Sequence, residues 1–112
     1  MLGGGGMRLE LVNLNEINLD NLPERKAVYA IFAQDRETKK PFHCRYVDQT
    51  DNLMKRIKAH FSVSEQNKCL RAFMQSGRIK LMFYELIPGS SKEERHRREK
   101  DWINLYQPRC NE

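Results

Sequence analysis

The sequence predicts an α/β fold of the α+β type, in which helices flank a small, three-stranded, mainly antiparallel sheet. Its 112 residues suit a single domain, and 39% apolar with 31% charged residues is typical of a globular protein. Short apolar or alternating runs predict strands, whereas longer stretches with apolar residues three or four positions apart predict helices. In chain order these patterns give strand, strand, helix, helix, strand, helix, which places helices against one sheet.

The predicted domain covers residues 8–112. Residues 1–7 contain four consecutive glycines and lack the basic start and apolar stretch of a signal peptide, so we expect a cloning remnant or a flexible tail there. The run 8–12 alternates briefly like a strand, but the pattern then loosens and the count of three strands leaves it out.

A hairpin provides the first two predicted strands. Residues 27–33 are apolar and aromatic, residues 42–47 supply the second arm, and the charged segment 35–41 between them is typical of a connecting loop. A third strand is expected over residues 78–87, where apolar side chains partly alternate.

Three helices are predicted from capping residues and apolar spacing. Thr50 or Asp51 is a suitable N-cap for the first helix, and the second is expected to start at Ser64. The third helix opens with a capping box, in which Ser91 and Glu94 cap each other's backbone, and it continues to about residue 106. The expected buried positions of the first two helices are Leu53, Ile57, Phe61, Cys69, Leu70, Phe73 and Met74.

The cysteines indicate the redox environment of the protein, and its net charge indicates the kind of partner it binds. Cys44, Cys69 and Cys110 are widely spaced and form no Cys-x-x-Cys pair, so we expect reduced thiols in a cytoplasmic protein and no thiolate zinc site. Twenty Lys and Arg residues against 15 acids give a net charge of +5, which favours a polyanionic partner without requiring one. No apolar run approaches the roughly 20 residues that span a bilayer, so no membrane partner is expected.

Arg56 and His60 stand one turn apart on the first predicted helix. Their side chains project from neighbouring positions of one face, at the border of the apolar stripe. Two interpretations remain open at this point. Either the pair belongs to a functional site, or it lies on a solvated basic face that has a histidine at its boundary.

Glu99 falls on the face of the last helix that also carries Trp102 and Ile103. That face is expected to be buried, and a carboxylate is seldom buried without a partner. The partner is an arginine, a metal ion or both. The simplest structural alternative is an ion pair with Arg95 or Arg98.

Two tyrosine motifs and the residues above follow a recognisable order. Ala27-Val28-Tyr29 lies in the first strand of the hairpin, and Tyr46-Val47-Asp48 ends the second. The other residues in register are Leu22, Pro23, Lys55, Arg56, His60, Glu99, Ile103, Pro108 and Asn111. This order and spacing resemble the GIY-YIG nuclease family, whose two motifs are Gly-Ile-Tyr and Tyr-Ile-Gly, and the resemblance covers residues 22–111.

The resemblance implies a metal-dependent endonuclease that hydrolyses phosphodiester bonds in DNA. Glu99 would bind one divalent cation, Mg²⁺ or Mn²⁺, because a single carboxylate with waters and phosphate oxygens suits such an ion. Tyr29, helped by His60, would position or deprotonate the attacking water. Arg56 would stabilise the charge that develops on the phosphate.

Two more residues complete the catalytic set that the resemblance implies. Tyr46 would hydrogen-bond in the same pocket, and Asn111 would anchor the end of the domain beside it. The expected phosphate contacts of the nucleic acid are Arg45, Lys55, Lys58, Arg95 and Arg98. A domain of this size carries no separate recognition module, so a protein partner is the expected source of any target specificity.

Asp48 is the main departure from the family pattern, because it replaces the glycine of the second motif. Asp tolerates left-handed backbone conformations better than most residues, so the fold is expected to survive. Its carboxylate would either repel phosphate or join a metal site. The alternative function is therefore a catalytically degenerate module that binds nucleic acid or protein, and a nuclease acting on RNA is a third possibility.

Overall fold

The fold is a four-stranded antiparallel sheet with helices on both faces, as described for residues 9–111 by a computed structural model. In chain order the strands are β1 (Leu9–Asn13), β2 (Ala27–Gln34), β3 (Pro41–Thr50) and β4 (Lys80–Leu86). The α-helices are α1 (Leu53–His60), α2 (Lys68–Met74) and α3 (Lys92–Tyr106), and a short 3₁₀ helix (Leu19–Asn21) precedes β2. The strands lie in the order β1-β4-β2-β3. The tail expected at residues 1–7 lies outside the described residues.

The predicted fold class is confirmed, but the sheet has four strands rather than three. The additional strand, β1, pairs antiparallel with β4, from Leu9 opposite Glu85 to Asn13 opposite Leu81. It is a five-residue strand at the edge of the sheet, and its Leu9 and Leu11 remain about half exposed. A short edge strand buries little apolar surface, so its alternation in the sequence is brief and weak.

The central strand β2 orients the first site residue. All residues from 27 to 33 are buried, because β3 and β4 flank the strand and helices cover both faces. Tyr29 and Ile31 pack with α1 and α2, whereas Val28 and Ala30 pack on the side of α3. The two-residue alternation of a strand therefore directs Tyr29 towards α1.

Asparagine side chains start the first two helices. The Asn52 side chain accepts a hydrogen bond from the backbone N–H of residue 55 at 3.0 Å, so the cap predicted at Thr50 or Asp51 was displaced by one or two positions. The second helix starts after Asn67 and not at Ser64. These shifts arise because several consecutive polar residues can each cap, and only the folded backbone selects one.

Helix α3 confirms the sequence-based expectation closely. Ser91 and Glu94 form the predicted capping box, and the helix ends at Tyr106. Trp102 is buried against β2 and β3, which fixes the rotation of the helix and the direction of its neighbouring residues. Within residues 9–111 no helix is both long and apolar enough to cross a membrane.

A disulfide joins Cys69 at the start of α2 to Cys110 in the C-terminal segment, so the expectation of reduced thiols is wrong for these two residues. Cys44 is free and buried. The pair is 41 residues apart in sequence and meets because the segment after α3 runs back along β3. The Cys110 backbone N–H donates to the carbonyl of Arg45 at 2.7 Å. Sequence spacing carried no sign of this long-range proximity.

Candidate active site at the edge of the sheet

The candidate active site lies along the edge strand β3, where side chains from β2, β3, α1 and α3 meet. A cavity of about 400 Å³ opens there, and its lining residues are Tyr46, Val47, Asp48, Gln66, Asn67, Glu99 and Asn111. Tyr29 and His60 pack edge-on or tilted against the ring of Tyr46, with ring centroids 6.4 and 5.2 Å from it. The predicted catalytic residues are thus gathered in one place.

Three side chains form a hydrogen-bonded chain behind the cavity. The hydroxyl of Tyr29 is 2.6 Å from Nε2 of His60, and Nδ1 of His60 is 2.5 Å from Oε1 of Glu65. An ionised carboxylate can only accept, so Nδ1 carries the proton and donates it to Glu65. Nε2 of His60 is then an acceptor for the Tyr29 hydroxyl. Tyr29 and His60 are both fully buried.

The protonation states along this chain follow from burial and charge. Burial raises the pKa of Tyr29 well above its usual range, and the Asp48 carboxylate acts in the same direction. Burial lowers the pKa of His60, although the hydrogen bond to Glu65 opposes the shift. Burial alone would raise the pKa of Glu65, but hydrogen bonds from the Asn67 backbone and from His60 lower it. At neutral pH the phenol and the imidazole are neutral and the carboxylate is ionised.

Asp48 turns into the site and binds its arginine and the adjacent tyrosine hydroxyl. Its Oδ2 accepts hydrogen bonds from the Tyr46 hydroxyl and from Nη2 of Arg56, each at 3.0 Å. Its Oδ1 accepts from the backbone N–H of Gln49 at 2.8 Å. The Asp48 side chain is 19% exposed and that of Arg56 is 40% exposed, so the ion pair lies at the border between protein and solvent.

Glu99 approaches the same carboxylate from α3. Burial and the hydrogen bond and charge of Asp48 raise the pKa of Glu99 to about 7. Oε1 of Glu99 is buried and accepts no hydrogen bond, and Nδ1 of His96 is 3.9 Å away, which is too far for one. Two adjacent carboxyl groups and an oxygen without a donor form a local excess of negative charge that a proton or a cation would relieve.

Asp48 and Glu99 are the acidic side chains among the described residues that line this cavity. Within residues 9–111 no group of three or more His, Cys, Asp or Glu side chains is arranged to hold a metal ion. Asp48 and Glu99 alone can therefore offer at most a partial coordination shell. A hard divalent ion that retains most of its water molecules suits such a set.

Asn111 attaches the C-terminal segment to the site. Its side-chain oxygen accepts from the backbone N–H of Val47, and its amide donates to the Val47 carbonyl, both at 2.8 Å. The side chain of Asn67 donates to the carbonyl of Cys110 at 2.8 Å. Asn111 thus pairs with the backbone of β3 in the way that a neighbouring strand would, and Asn67 attaches the C-terminal segment to the start of α2.

Three of the basic residues expected to contact phosphates lie on or near the surface. Lys55 is exposed on α1, and Lys58 forms an ion pair with Asp20. The guanidinium of Arg45 lies 4.9 Å above the centre of the Phe73 ring. These positions leave Lys55 and Arg45 without an acidic partner in the described part of the chain.

The other two expected phosphate contacts are engaged within the protein. Arg95 is only 6% exposed and donates to the Gln49 side chain at 2.9 Å and to the Ser90 carbonyl at 2.8 Å. Arg98 donates to Glu85 at 2.7 Å. The guanidinium of Arg95 supports the fold around the end of β3 in this conformation. The structural alternative for Glu99, an ion pair with Arg95 or Arg98, is not seen among the ion pairs of residues 9–111.

Comparison with known proteins gives the family. The sequence profile of the GIY-YIG catalytic domain matches residues 25–111. This chain belongs to the GIY-YIG family. Comparison with curated protein sequences gives no match for this GIY-YIG domain.

Several solved structures have a similar fold. Two point-mutant forms of the GIY-YIG N-terminal endonuclease domain of UvrC from Thermotoga maritima, each bound to its catalytic divalent cation, share 14% identity with this chain. Their TM-scores are 0.56 and 0.57, and the alignments cover 84% of this chain and 90% of theirs. A third point mutant shares 17% identity at a TM-score of 0.53. At such identity the likeness concerns the fold alone.

Glu65 is the site residue that sequence reasoning missed. It lies in the irregular segment between α1 and α2, five residues after His60, where no periodicity applies. Only the turn after α1 brings its carboxylate back to the imidazole. A weak signal was available, because a buried histidine requires a partner for its second nitrogen and Glu65 is the next acid in the chain.

Proposed function

We propose that this GIY-YIG domain is a divalent-metal-dependent endonuclease that hydrolyses phosphodiester bonds in DNA. One observation carries the proposal: a carboxylate oxygen without a donor lies at an open cavity, with an arginine beside that cavity and a phenol–imidazole–carboxylate chain directly behind it. Each of the three performs a separate task in phosphodiester hydrolysis, namely proton removal, charge stabilisation and cation binding.

Glu99 is the proposed metal ligand, with Asp48 beside it. Oε1 of Glu99 is buried without a hydrogen-bond partner, and burial together with the neighbouring Asp48 carboxylate raises the pKa of Glu99 to about 7, so the residues present fit a cation. Mg²⁺ or Mn²⁺ would neutralise this pair and polarise a phosphate oxygen when bound. Support also comes from the divalent cation held by the UvrC domains of similar fold.

Tyr29, His60 and Glu65 are proposed to manage the proton of the attacking water. The pKa of Tyr29 is raised, so a free phenolate is not available at neutral pH. Instead, the Tyr29 hydroxyl can relay a proton: it gives its own proton to the unprotonated Nε2 of His60 and takes one from the attacking water. Glu65 holds the imidazole in the required tautomer and stabilises the imidazolium that forms.

Arg56 and Tyr46 are proposed to hold the scissile phosphate. In this conformation both donate to one carboxylate oxygen of Asp48, which therefore takes the place of a phosphate oxygen. The phosphate must displace Asp48 to engage them. Once engaged, a donor aimed at the developing charge contributes about 3 kcal/mol or more to transition-state stabilisation.

The position of Asp48 also supports a second candidate function, a non-catalytic module that binds nucleic acid. The ion pair between Asp48 and Arg56 keeps the arginine occupied, and Tyr29 is fully buried. A protein that never releases this pair would retain the fold and a basic surface without cutting. Cleavage and binding assays on the same protein distinguish the two functions.

The test is nicking of supercoiled plasmid by the purified protein in Mg²⁺, in Mn²⁺ and in EDTA. We expect nicking with either ion and none in EDTA or in Glu99→Gln. The matched control is Glu93→Gln, which makes the same change at an exposed position in the first turn of α3 and should nick like the wild type. Equal nicking by Glu99→Gln and the wild type would reject the proposal. A labelled RNA strand in parallel reactions decides between DNA and RNA.

A further inference from the structure

We propose that Arg45, Arg78 and Arg109, with the buried Lys80 beside them, form a second phosphate-binding surface, the cationic cluster, which holds the nucleic acid strand on one side of the scissile bond. The inference rests on the proposed function, because it deepens how that site takes its substrate. Three of the four residues, Arg78, Lys80 and Arg109, were not among the expected phosphate contacts.

Arg45 and Lys80 lie over one aromatic ring, and the backbone of Arg78 accepts from Lys80 while that of Arg109 donates to Cys44, next to Arg45. The Arg45 guanidinium lies 4.9 Å from the centre of the Phe73 ring, and Nζ of Lys80 lies 5.6 Å from the same centre. Burial, then Arg109, then Arg78 lower the pKa of Arg45. Burial and then Arg78 lower the pKa of Lys80. Burial is the largest cause of both pKa shifts, and the neighbouring cations add to it in the same direction.

The cluster has no counter-charge among residues 9–111. Three other basic residues do have acidic partners: Arg56 pairs with Asp48, Lys58 with Asp20 and Arg98 with Glu85. No acid within residues 9–111 forms an ion pair with any member of the cluster. Nε of Arg45 is in addition buried without a hydrogen-bond partner. An anion from outside the domain would relieve the repulsion among these cations.

Packing explains only part of the cluster. Arg45 and Lys80 stack on Phe73, and Nζ of Lys80 donates to the carbonyls of Ser76 and Arg78, so these two cations have a structural role. No such contact is made by the guanidinium groups of Arg78 and Arg109. Their presence adds repulsion without a compensating contact inside the described part of the domain. A polyanion is the partner that this arrangement fits.

The cluster lies directly beside the candidate active site. The Arg109 backbone N–H donates to the Cys44 carbonyl, and Asn111, two residues later, borders the cavity. Asp48 and Arg45 are three residues apart on β3, which is about 10 Å at about 3.3 Å per residue. That distance spans about three nucleotides of a stacked strand at about 3.4 Å each. A strand whose scissile phosphate lies in the site would therefore continue over the cluster.

The test measures binding without cleavage, in the Glu99→Gln background and in EDTA. The double variant Arg78→Gln with Arg109→Gln removes two charges while Arg45, Lys80 and their packing on Phe73 remain. The control, Arg25→Gln with Lys92→Gln, removes two exposed charges near the opposite end of β2. Binding of a labelled single DNA strand of about 20 nucleotides is followed by fluorescence anisotropy from about 50 to 200 mM NaCl. Over this range the release of counterions changes the affinity by a measurable factor.

We expect the cluster variant to bind at least tenfold more weakly at 100 mM salt, about the effect of losing two phosphate contacts. The slope of log affinity against log salt should become shallower by about 1.4, since each contact to a single strand contributes about 0.7. The control pair should keep the wild-type slope. Equal losses in both double variants, or an unchanged slope in the cluster variant, would overturn the inference.

Two further measurements keep the result interpretable. If the double variant does not melt at the wild-type temperature, the single variant of the exposed Arg109 replaces it, with an expected slope change of about 0.7. Plasmid nicking by otherwise wild-type protein is scored separately. If the wild type nicks DNA but the cluster variant keeps the wild-type salt slope, the cluster is rejected and the nuclease is kept. If the variant shows the expected slope change but the wild type does not nick, the cluster is kept and the nuclease is rejected.

Discussion

Replacing Asp48 tests how the site admits a phosphate. Its carboxylate accepts from Arg56 and Tyr46, the two groups proposed to bind the substrate, so it competes with the phosphate for both. We expect Asp48→Gly and Asp48→Asn to nick plasmid no more slowly than the wild type, and faster at low DNA concentration. Asn keeps an oxygen that can accept from Tyr46 and removes only the charge.

The size of the effect follows from the geometry of the ion pair. Two charges about 4 Å apart attract by about 4 kcal/mol at an effective dielectric constant near 20. The Arg56 side chain is 40% exposed, and solvent screening reduces the net contribution of such pairs to about 1 kcal/mol. A phosphate released from this competition should gain about fivefold in affinity, the factor that corresponds to about 1 kcal/mol.

The assay is the initial nicking rate at DNA concentrations below saturation, in Mg²⁺, with thermal unfolding recorded for every variant. Asp51→Asn is the matched control, because it removes one negative charge from an exposed position just before α1. A large loss of nicking in a correctly folded Asp48 variant would refute the reasoning. It would show that Asp48 is a working metal ligand beside Glu99.

Three further outcomes test the remaining parts of the site. Glu65→Gln should lower the nicking rate about tenfold or more by weakening general base catalysis, measured across pH 5.5–8.5; an unchanged rate would exclude Glu65 as the partner that positions His60. The lowered pKa of His60 means that the folded protein binds fewer protons than the unfolded chain between its folded pKa and 6.5. The free energy of unfolding of the wild type should therefore fall relative to that of His60→Gln as the pH drops below 6.5, measured by urea unfolding of both proteins. The raised pKa of Glu99 acts in the opposite direction but is common to both proteins, and parallel curves would contradict the prediction. Reduction of the disulfide, or the substitution Cys69→Ser, should lower the free energy of unfolding by about 4 kcal/mol for a loop of this length. Cys44→Ser leaves the disulfide intact and is the control, and equal stability with and without reductant would count against a structural role of the disulfide.

The sequence predicted the elements whose signals are local. Strands β2 and β3, the capping box of α3 and the burial of Leu53 and Ile57 depend on neighbouring residues, and each appears in the structure. The short edge strand β1 depends on pairing with β4, about 70 residues away, and its own alternation was too brief to be counted.

The site shows the same division. Spacing alone left Arg56, His60 and Glu99 open between function and ordinary surface or core roles, and the family resemblance supplied their grouping. The contact of Glu65 with His60 and the disulfide of Cys69 with Cys110 were not predicted, because both depend on how irregular segments return to the sheet. The direction of the Asp48 side chain was one of several that the sequence allowed.

The attachment of residues 109–111 to β3 has a consequence during protein synthesis. A nascent chain that ends after α2 already contains Tyr29, Arg56 and His60, but it lacks Glu99 and the segment that Asn111 fastens to Val47. Such long-range contacts close late in folding, because distant parts of the chain must meet. An enzyme of the proposed kind would therefore remain harmless to nucleic acid on the ribosome and acquire its cutting geometry only when the last residues of the domain dock.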